Sequence, residues 1–232
     1  MGNNMREDLK NYNNELAYFV LFNIALFIWI ELDFKFIIEN YELLSVLLTI
    51  PLYYFPIYLF NNLMPSDWKF FVLYPLKHNH HYASDIFTKI DSGKIKDKKA
   101  LIDIDLIIKK HRQPKNANDE DKLWFELYYN HRYDNKVYHH HKRFLFCRDY
   151  TMMIMPLFAL FILTDYILKY SLNNELMLLV IAIVEFIAFW ILARYQNKKF
   201  ALVVLQEETH RLKQPPKKQH VSIKSKNVLK NY

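Results

Sequence analysis

The sequence predicts an all-α integral membrane protein, with four transmembrane helices in two hairpins and a cytoplasmic helical subdomain inserted between helices 2 and 3. Three observations predict it. Apolar residues gather into four blocks, although the mean hydropathy of the 232-residue chain is only -0.12 and 24% of its residues are charged. Each block is about the length at which a helix rising ~1.5 Å per residue crosses roughly 30 Å of hydrocarbon. Lys and Arg are distributed unequally around the blocks: of 31, 17 lie between the second and third, 10 follow the fourth, and each short link holds 1, Lys35 or Lys169.

Residues 1–63 form the N-terminus and the first hairpin, with spans over 17–34 and 43–63. The end of the first span, Trp29-Ile30-Glu31-Leu32-Asp33, lacks the small residues of a signal cleavage site, so it is expected to remain as an anchor. Residues 64–150 are too apolar for a disordered connector and should fold as a cytoplasmic helical domain. Within it, 97–110 reads as an amphipathic helix with Leu101, Ile104 and Ile108 on one face. A polar break containing Pro114 follows, then a second helical pattern over 122–138 carrying Trp124, Leu127 and Tyr128. Residues 151–194 form the second hairpin, with spans over 152–170 and 176–193. Residues 195–232 continue as a helical stalk, stopped by Pro215-Pro216, and a basic tail. Positive charge stays on the cytoplasmic side, so the expected location is the inner membrane of a bacterium, multi-pass, with both termini cytoplasmic. The single cysteine, Cys147, excludes an intramolecular disulfide.

The two glycines, Gly2 and Gly93, lie outside the spans, which excludes GxxxG helix contacts and glycine-rich phosphate loops. Glu185 interrupts the fourth block, where an ionisable group is costly without a partner. Counting inward by about ten residues from the outer ends puts Asn23, Tyr53 and Tyr54 at its depth, so a midplane polar cluster of Glu185, Asn23 and a tyrosine hydroxyl is expected. Ala182 and Ala188, three residues either side of Glu185, are expected to share its face toward a bundle or another subunit. Such a carboxyl serves as hydrogen-bonded glue that fixes helix register, or as part of an ion or proton pathway. Pro51 and Pro56 interrupt the second block and Pro156 opens the third, which reads as fitting of helices to their neighbours.

All ten histidines fall on the cytoplasmic side. Two groups are candidate metal ligands: His78, His80 and His81 with Asp85, and His139, His140 and His141. With the topology, they resemble the membrane desaturases and fatty-acid hydroxylases, which would imply a metal-dependent membrane enzyme; the HxxxH and HxxHH boxes of that family are not matched. Arg132 and His139, with six residues between them, resemble the Arg/His pair of HEPN ribonucleases, which would imply a nuclease-like role for the two. No nucleophile with the setting of a serine or cysteine triad is present, and no cofactor is expected.

The plan of two span hairpins bracketing a cytosolic helical domain resembles small multi-span membrane accessory or effector proteins of prokaryotic antiviral defence systems. The resemblance implies a homo-oligomer whose cytosolic domain receives a protein or nucleic-acid-derived signal while the spans perturb or permeabilise the membrane. Alternatives are a bacteriocin-immunity-like membrane binding protein and the His-dependent enzyme. Residues 194–232 carry 10 basic against 2 acidic side chains, so the tail is expected to bind the bilayer through anionic headgroups.

Overall fold

The computed structural model describes residues 12–31, 55, 58–75, 82–95, 101–168 and 175–214. They are all-helical, and two of the helices are long and apolar enough to cross a membrane. Seven α-helices are described: α1 (Asn13–Glu31), α2 (Ser66–Leu73), α3 (Ile86–Asp91), α4 (Ile104–Lys110), α5 (Ala117–His131), α6 (Asn135–Leu168) and α7 (Glu175–Lys213).

Local chemistry sets the short helices. Pro65 precedes α2, whose Asp67 lies in the first turn, where the partial positive charge of the helix end favours a carboxylate. A 3-10 turn over Tyr82–Asp85 leads into α3, and Gly93 leaves α3 at φ 72, the left-handed region that only glycine enters without cost. The buried Glu120 carboxylate, carried by α5, accepts the Phe87 and Thr88 amides at 2.9 and 3.2 Å and the Thr88 hydroxyl, tying α5 to the start of α3. Of the helix expected over 97–110, residues 97–100 lie outside the described residues. Asp103 accepts the Leu106 amide at 3.1 Å and caps α4 there, so among the described residues 101–110 the helix is Ile104–Lys110. Asn116 caps α5 in the same way through the Asp119 amide at 2.9 Å.

The two long helices organise everything else. At about 1.5 Å per residue, the 34 residues of α6 and the 39 of α7 reach roughly 50–60 Å, well beyond the hydrocarbon thickness. They run antiparallel, as the pairs Lys136–Glu207 and Tyr150–Glu185 show, with the apolar parts toward the C-terminus of α6 and the N-terminus of α7. The third apolar block is therefore the continuation of a helix that already carries His139, His140 and His141, and Pro156 lies inside that helix instead of opening it. α6 tolerates the proline because only one backbone bond is lost while neighbouring helices hold the axis.

Two cores follow. In the polar half, Phe200 and residues 201–205 of α7 are buried against α2 to α5 and the first turns of α6. Trp124 is fully enclosed there, donates from its indole to the Ala201 carbonyl at 3.1 Å and stacks on Tyr128. In the apolar half, α1 lies along α6, with Leu16, Val20, Ile24 and Phe27 against Tyr150, Met153, Leu157 and Phe161, and with Leu178 and Ala182 of α7. Residues 197–212, expected as a helical stalk at the membrane surface, continue α7 and supply Phe200 and residues 201–205 to the polar-half core. Six consecutive apolar residues, Phe200 to Leu205, are buried there, while Lys198, Lys199 and His210 keep one side of the helix polar.

Candidate functional site

Three polar clusters are spaced along the α6–α7 pair. The first lies in the apolar half, where Asn23 of α1, Tyr150 of α6 and Glu185 of α7 converge. The Asn23 amide donates to Oε1 of Glu185 at 3.2 Å and to the Tyr150 hydroxyl, and that hydroxyl donates to the same Oε1. Oε2 of Glu185 and Oδ1 of Asn23 are enclosed with no donor among the described residues. The rings of Phe19, Phe146 and Phe189 pack on Tyr150 at 5.2, 6.1 and 4.2 Å, giving the cluster an aromatic wall. Asn23 and Glu185 are thus brought together, and the tyrosine beside them is Tyr150. Tyr53 and Tyr54 lie outside the described residues.

Depth counting overlooked Tyr150 because it precedes the third apolar block by two residues. The antiparallel register of α6 and α7, which no periodicity reveals, sets Tyr150 opposite Glu185. The cluster consequently lies at the edge of the apolar block of α6, not at the middle of both spans. Ala182 is buried beside it, whereas Ala188 is exposed. Three residues advance a helix by about 300°, so each such step slips the position by about 60° and Ala188 has rotated out of the packed face.

The second cluster is adjacent. Asp149, on α6, receives the Tyr12 hydroxyl at 2.8 Å, Nζ of Lys69 at 3.2 Å and Nε of Arg148 at 2.8 Å, and Lys69 also donates to Asn61 at 2.8 Å. Every member but Tyr12 is charged or amide-bearing, and all are buried. Buried ions of this kind persist only when paired. Lys69 turns inward from α2 while Trp68 and Phe71 of the same helix face outward.

The third cluster closes the polar half around Glu208, whose side chain is fully enclosed. Its Oε2 accepts Nε2 of His131 at 2.7 Å, and its Oε1 accepts Nε2 of His111 at 2.8 Å and Arg211 at 2.7 Å. His131 also meets Asp134 through Nδ1 at 2.6 Å, so both ring nitrogens face carboxylates and both must donate, which only an imidazolium can do. Burial opposes charge on His131, but the bonds to Glu208 and Asp134 outweigh it and hold the ring above its ordinary value. Burial would likewise raise Glu208, yet the bonds from His131, Arg211 and His111 bring it down to about 2. Glu208 therefore links α4, α5 and α7 in one ionised knot. Sequence patterning pointed to none of this, because Glu207-Glu208 reads as a solvated pair; the one available signal is a carboxylate set among Val203, Val204 and Leu205 on a buried helix.

The remaining candidates are dispersed. His78, His80 and His81 lie outside the described residues, and Asp85 pairs with Lys89 at 2.8 Å. His139 is exposed and His140 half-buried. His141 stacks on Phe200 at 4.6 Å and meets the Tyr128 hydroxyl at 3.0 Å; burial, with the charge of Arg148, pushes it down to about 4. Three consecutive helical positions point about 100° apart, so the triplet cannot converge on one ion. Among the described residues no group of three His, Cys, Asp or Glu side chains is arranged to hold a metal. The Arg132 guanidinium lies over the rings of Tyr133 and Tyr129 at 4.5 and 5.6 Å, and His139 packs edge-on against Tyr138. The chain matches no protein-family model, no curated protein and no solved structure.

Proposed function

We propose that this is a multi-pass inner-membrane coupling protein, in which a cytosolic helical domain that receives a partner is joined rigidly to a membrane bundle. The observation that carries this reading is the continuity of α6 and α7 from one core into the other. A helix has no hinge without a break in its hydrogen bonding, so displacement of the Glu208 knot at one end is transmitted to the Glu185 cluster at the other. The burial of α7 supports the membrane assignment: in its apolar window only 17% of residues are covered by protein, against 56% in α6. A soluble core helix would be covered, since exposed apolar patches of that size are rare outside interfaces and membranes.

In this reading the chain has four spans in two hairpins, both termini are cytoplasmic, and the basic tail lies on anionic headgroups. The molecule is an accessory or effector protein that perturbs the membrane on a cytosolic signal, and antiviral defence is the setting its layout suggests. Impermeant labelling of single cysteines should reach Lys169→Cys from outside and Gln113→Cys only after permeabilisation. A voltage-sensitive dye in cells expressing the wild type and Glu208→Ala then tests the coupling. The expected result is a membrane response lost in Glu208→Ala while membrane insertion persists. An identical response in the two proteins would overturn it.

A further inference from the structure

The polar-side ends of all four apolar blocks meet at α2. The second block ends at Leu63, and the chain leaves its helix at Met64 and at Pro65, which is extended at φ -58 and ψ 146, before α2 begins at Ser66. Lys69 of α2 donates back across that break to Asn61 at 2.8 Å, and to Asp149, just before the third block, at 3.2 Å. Tyr12, which precedes the first block, donates to the same Asp149 at 2.8 Å. Val72 of α2 accepts the indole of Trp190, near the end of the fourth block, at 3.1 Å. Contacts this short hold the four ends within a side chain's length of one level.

The inner face of α2 is thus engaged, while its outer face is bare and aromatic. Trp68 is 64% and Phe71 47% exposed, edge-on to each other. On α7 an exposed stripe changes chemistry at the same level: Ile187 and Ile191 are followed, one turn on, by Arg194 and Tyr195. Lys69 and Arg148 are paired with Asp149, but Arg194 lies over the rings of Trp190 and Tyr74 at 4.4 and 5.3 Å and Lys199 over Tyr195 at 4.5 Å. A guanidinium on a ring face keeps its edge for an anion. Asp67, exposed in the first turn of α2, is an opposing charge at this level.

We propose that α2 is an interfacial anchor: Trp68 and Phe71 sit in the headgroup layer of the cytoplasmic leaflet, where Arg194 and Lys199 hold the phosphates of anionic lipids. Lipid is the occupant that the order along α7 favours, because apolar side chains, then aromatic rings, then cations reproduce the passage from acyl chain to headgroup. Tryptophan suits that layer, since its ring is apolar and its N–H needs a wet partner. The anchor fixes the depth of the Lys69–Asp149 cluster, where the two cores join, and it is separate from the basic tail.

The inference rests on the membrane reading above, and its test separates the two. In the full chain carrying Cys147→Ala, the variants Trp68→Cys, Phe71→Cys, Ile187→Cys and Tyr129→Cys, all at exposed positions, are spin-labelled singly and reconstituted in liposomes containing phosphatidylglycerol. Collisions with oxygen, which enters lipid, are compared with collisions with a nickel chelate, which stays in water. The expected order is Ile187→Cys deep in lipid, Tyr129→Cys in water, and Trp68→Cys and Phe71→Cys between them. A Trp68→Cys label as open to nickel as Tyr129→Cys, or shielded from both reagents by a second copy, would overturn the anchor while Ile187→Cys still reports the membrane. Nickel reaching Ile187→Cys would overturn both readings. In detergent micelles, phosphatidylglycerol should raise the melting temperature more than phosphatidylcholine does, and Arg194→Gln with Lys199→Gln should reduce that extra gain. A gain untouched in the double variant, or reproduced by free glycerol phosphate, would overturn the lipid-phosphate contact.

Discussion

The two halves of α7 are coloured oppositely by sequence and by structure. Residues 176–192 are almost wholly apolar, yet Leu176, Met177, Val180, Val184, Ile187 and Ile191 are exposed. Residues 197–209 contain Asn197, Glu208 and Thr209, yet these three are buried with Phe200 and residues 201–205. A water-soluble helix shows the reverse in both segments. The polar half obtains its apolar surroundings from α2 to α5, whereas the exposed face of the apolar half is the one that the proposed membrane reading assigns to lipid. In the polar half Asn197 donates to the Tyr74 hydroxyl, Thr209 to the Leu205 carbonyl, and Glu208 accepts His131, His111 and Arg211, because protein has replaced the water that would otherwise serve these groups.

Removing the acceptor at the centre of the polar half should damage it most. Glu208→Ala leaves His131, His111 and Arg211 without their shared acceptor, and should lower the stability of the polar half by about 3–5 kcal/mol. Trp124→Ala in the same core should cost a similar amount, about 3–5 kcal/mol, through the cavity left and the lost bond to Ala201. Chemical denaturation in detergent, followed by Trp190 emission for the wild type and both variants, would check this. Losses under about 1 kcal/mol would mean that the polar half is not a protein-built core.

Titration sharpens the contrast. Glu208 is depressed from 4.5 to about 2, so its contribution is present above 4.5 and disappears as pH falls toward about 2. His141 is depressed from 6.5 to about 4, and the unfolded chain takes up its proton first, so stability also falls as pH drops between those values. His131 is raised from 6.5, so its contribution is complete below 6.5 and is lost as pH climbs through the folded value. The polar half should therefore melt at its highest temperature near the ordinary histidine value. Glu208→Ala should flatten the alkaline limb; a limb unchanged in that variant would remove His131 from its cause.

Smaller effects belong to the apolar half. Glu185→Leu removes one interhelical bonding group and should weaken the α1 contact by about 1 kcal/mol, while Glu185→Gln keeps most of it. Thermal stability in detergent of the two variants would settle their order, and equal losses would show that shape alone matters there. Ile187→Ala, on the exposed face of α7, should change stability within about 0.5 kcal/mol. A larger loss would identify that face as a contact between copies of the chain.

Much of the fold is legible because lipid-length apolar blocks and caps are local properties. The described residues of the blocks 17–34, 152–170 and 176–193 fall on helices, and Asp103 and Asn116 start theirs through their own side chains. The chain reads poorly where a helix passes from one surrounding to another. No residue marks the joining of the 135–151 segment to the third block, because α6 simply continues, and 197–212 reads as a stalk at the membrane surface when its partners are unknown. Asn23 and Glu185 are conspicuous as polar interruptions, whereas Tyr150 is one of 17 tyrosines and is singled out only by its position opposite Glu185.

By itself the sequence determined composition-driven matters: helical class, the placement of apolar blocks, and the presence of a costly carboxyl at Glu185. These follow from residue type and spacing alone, since transfer energies and helical rise do not depend on the rest of the chain. Only the tertiary structure decided which side chains that carboxyl meets, that Glu208 collects two histidines and an arginine, and that the polar half of α7 is interior. Such contacts join residues 35 to 162 positions apart, and their register is set by packing of whole helix faces, which no local pattern encodes.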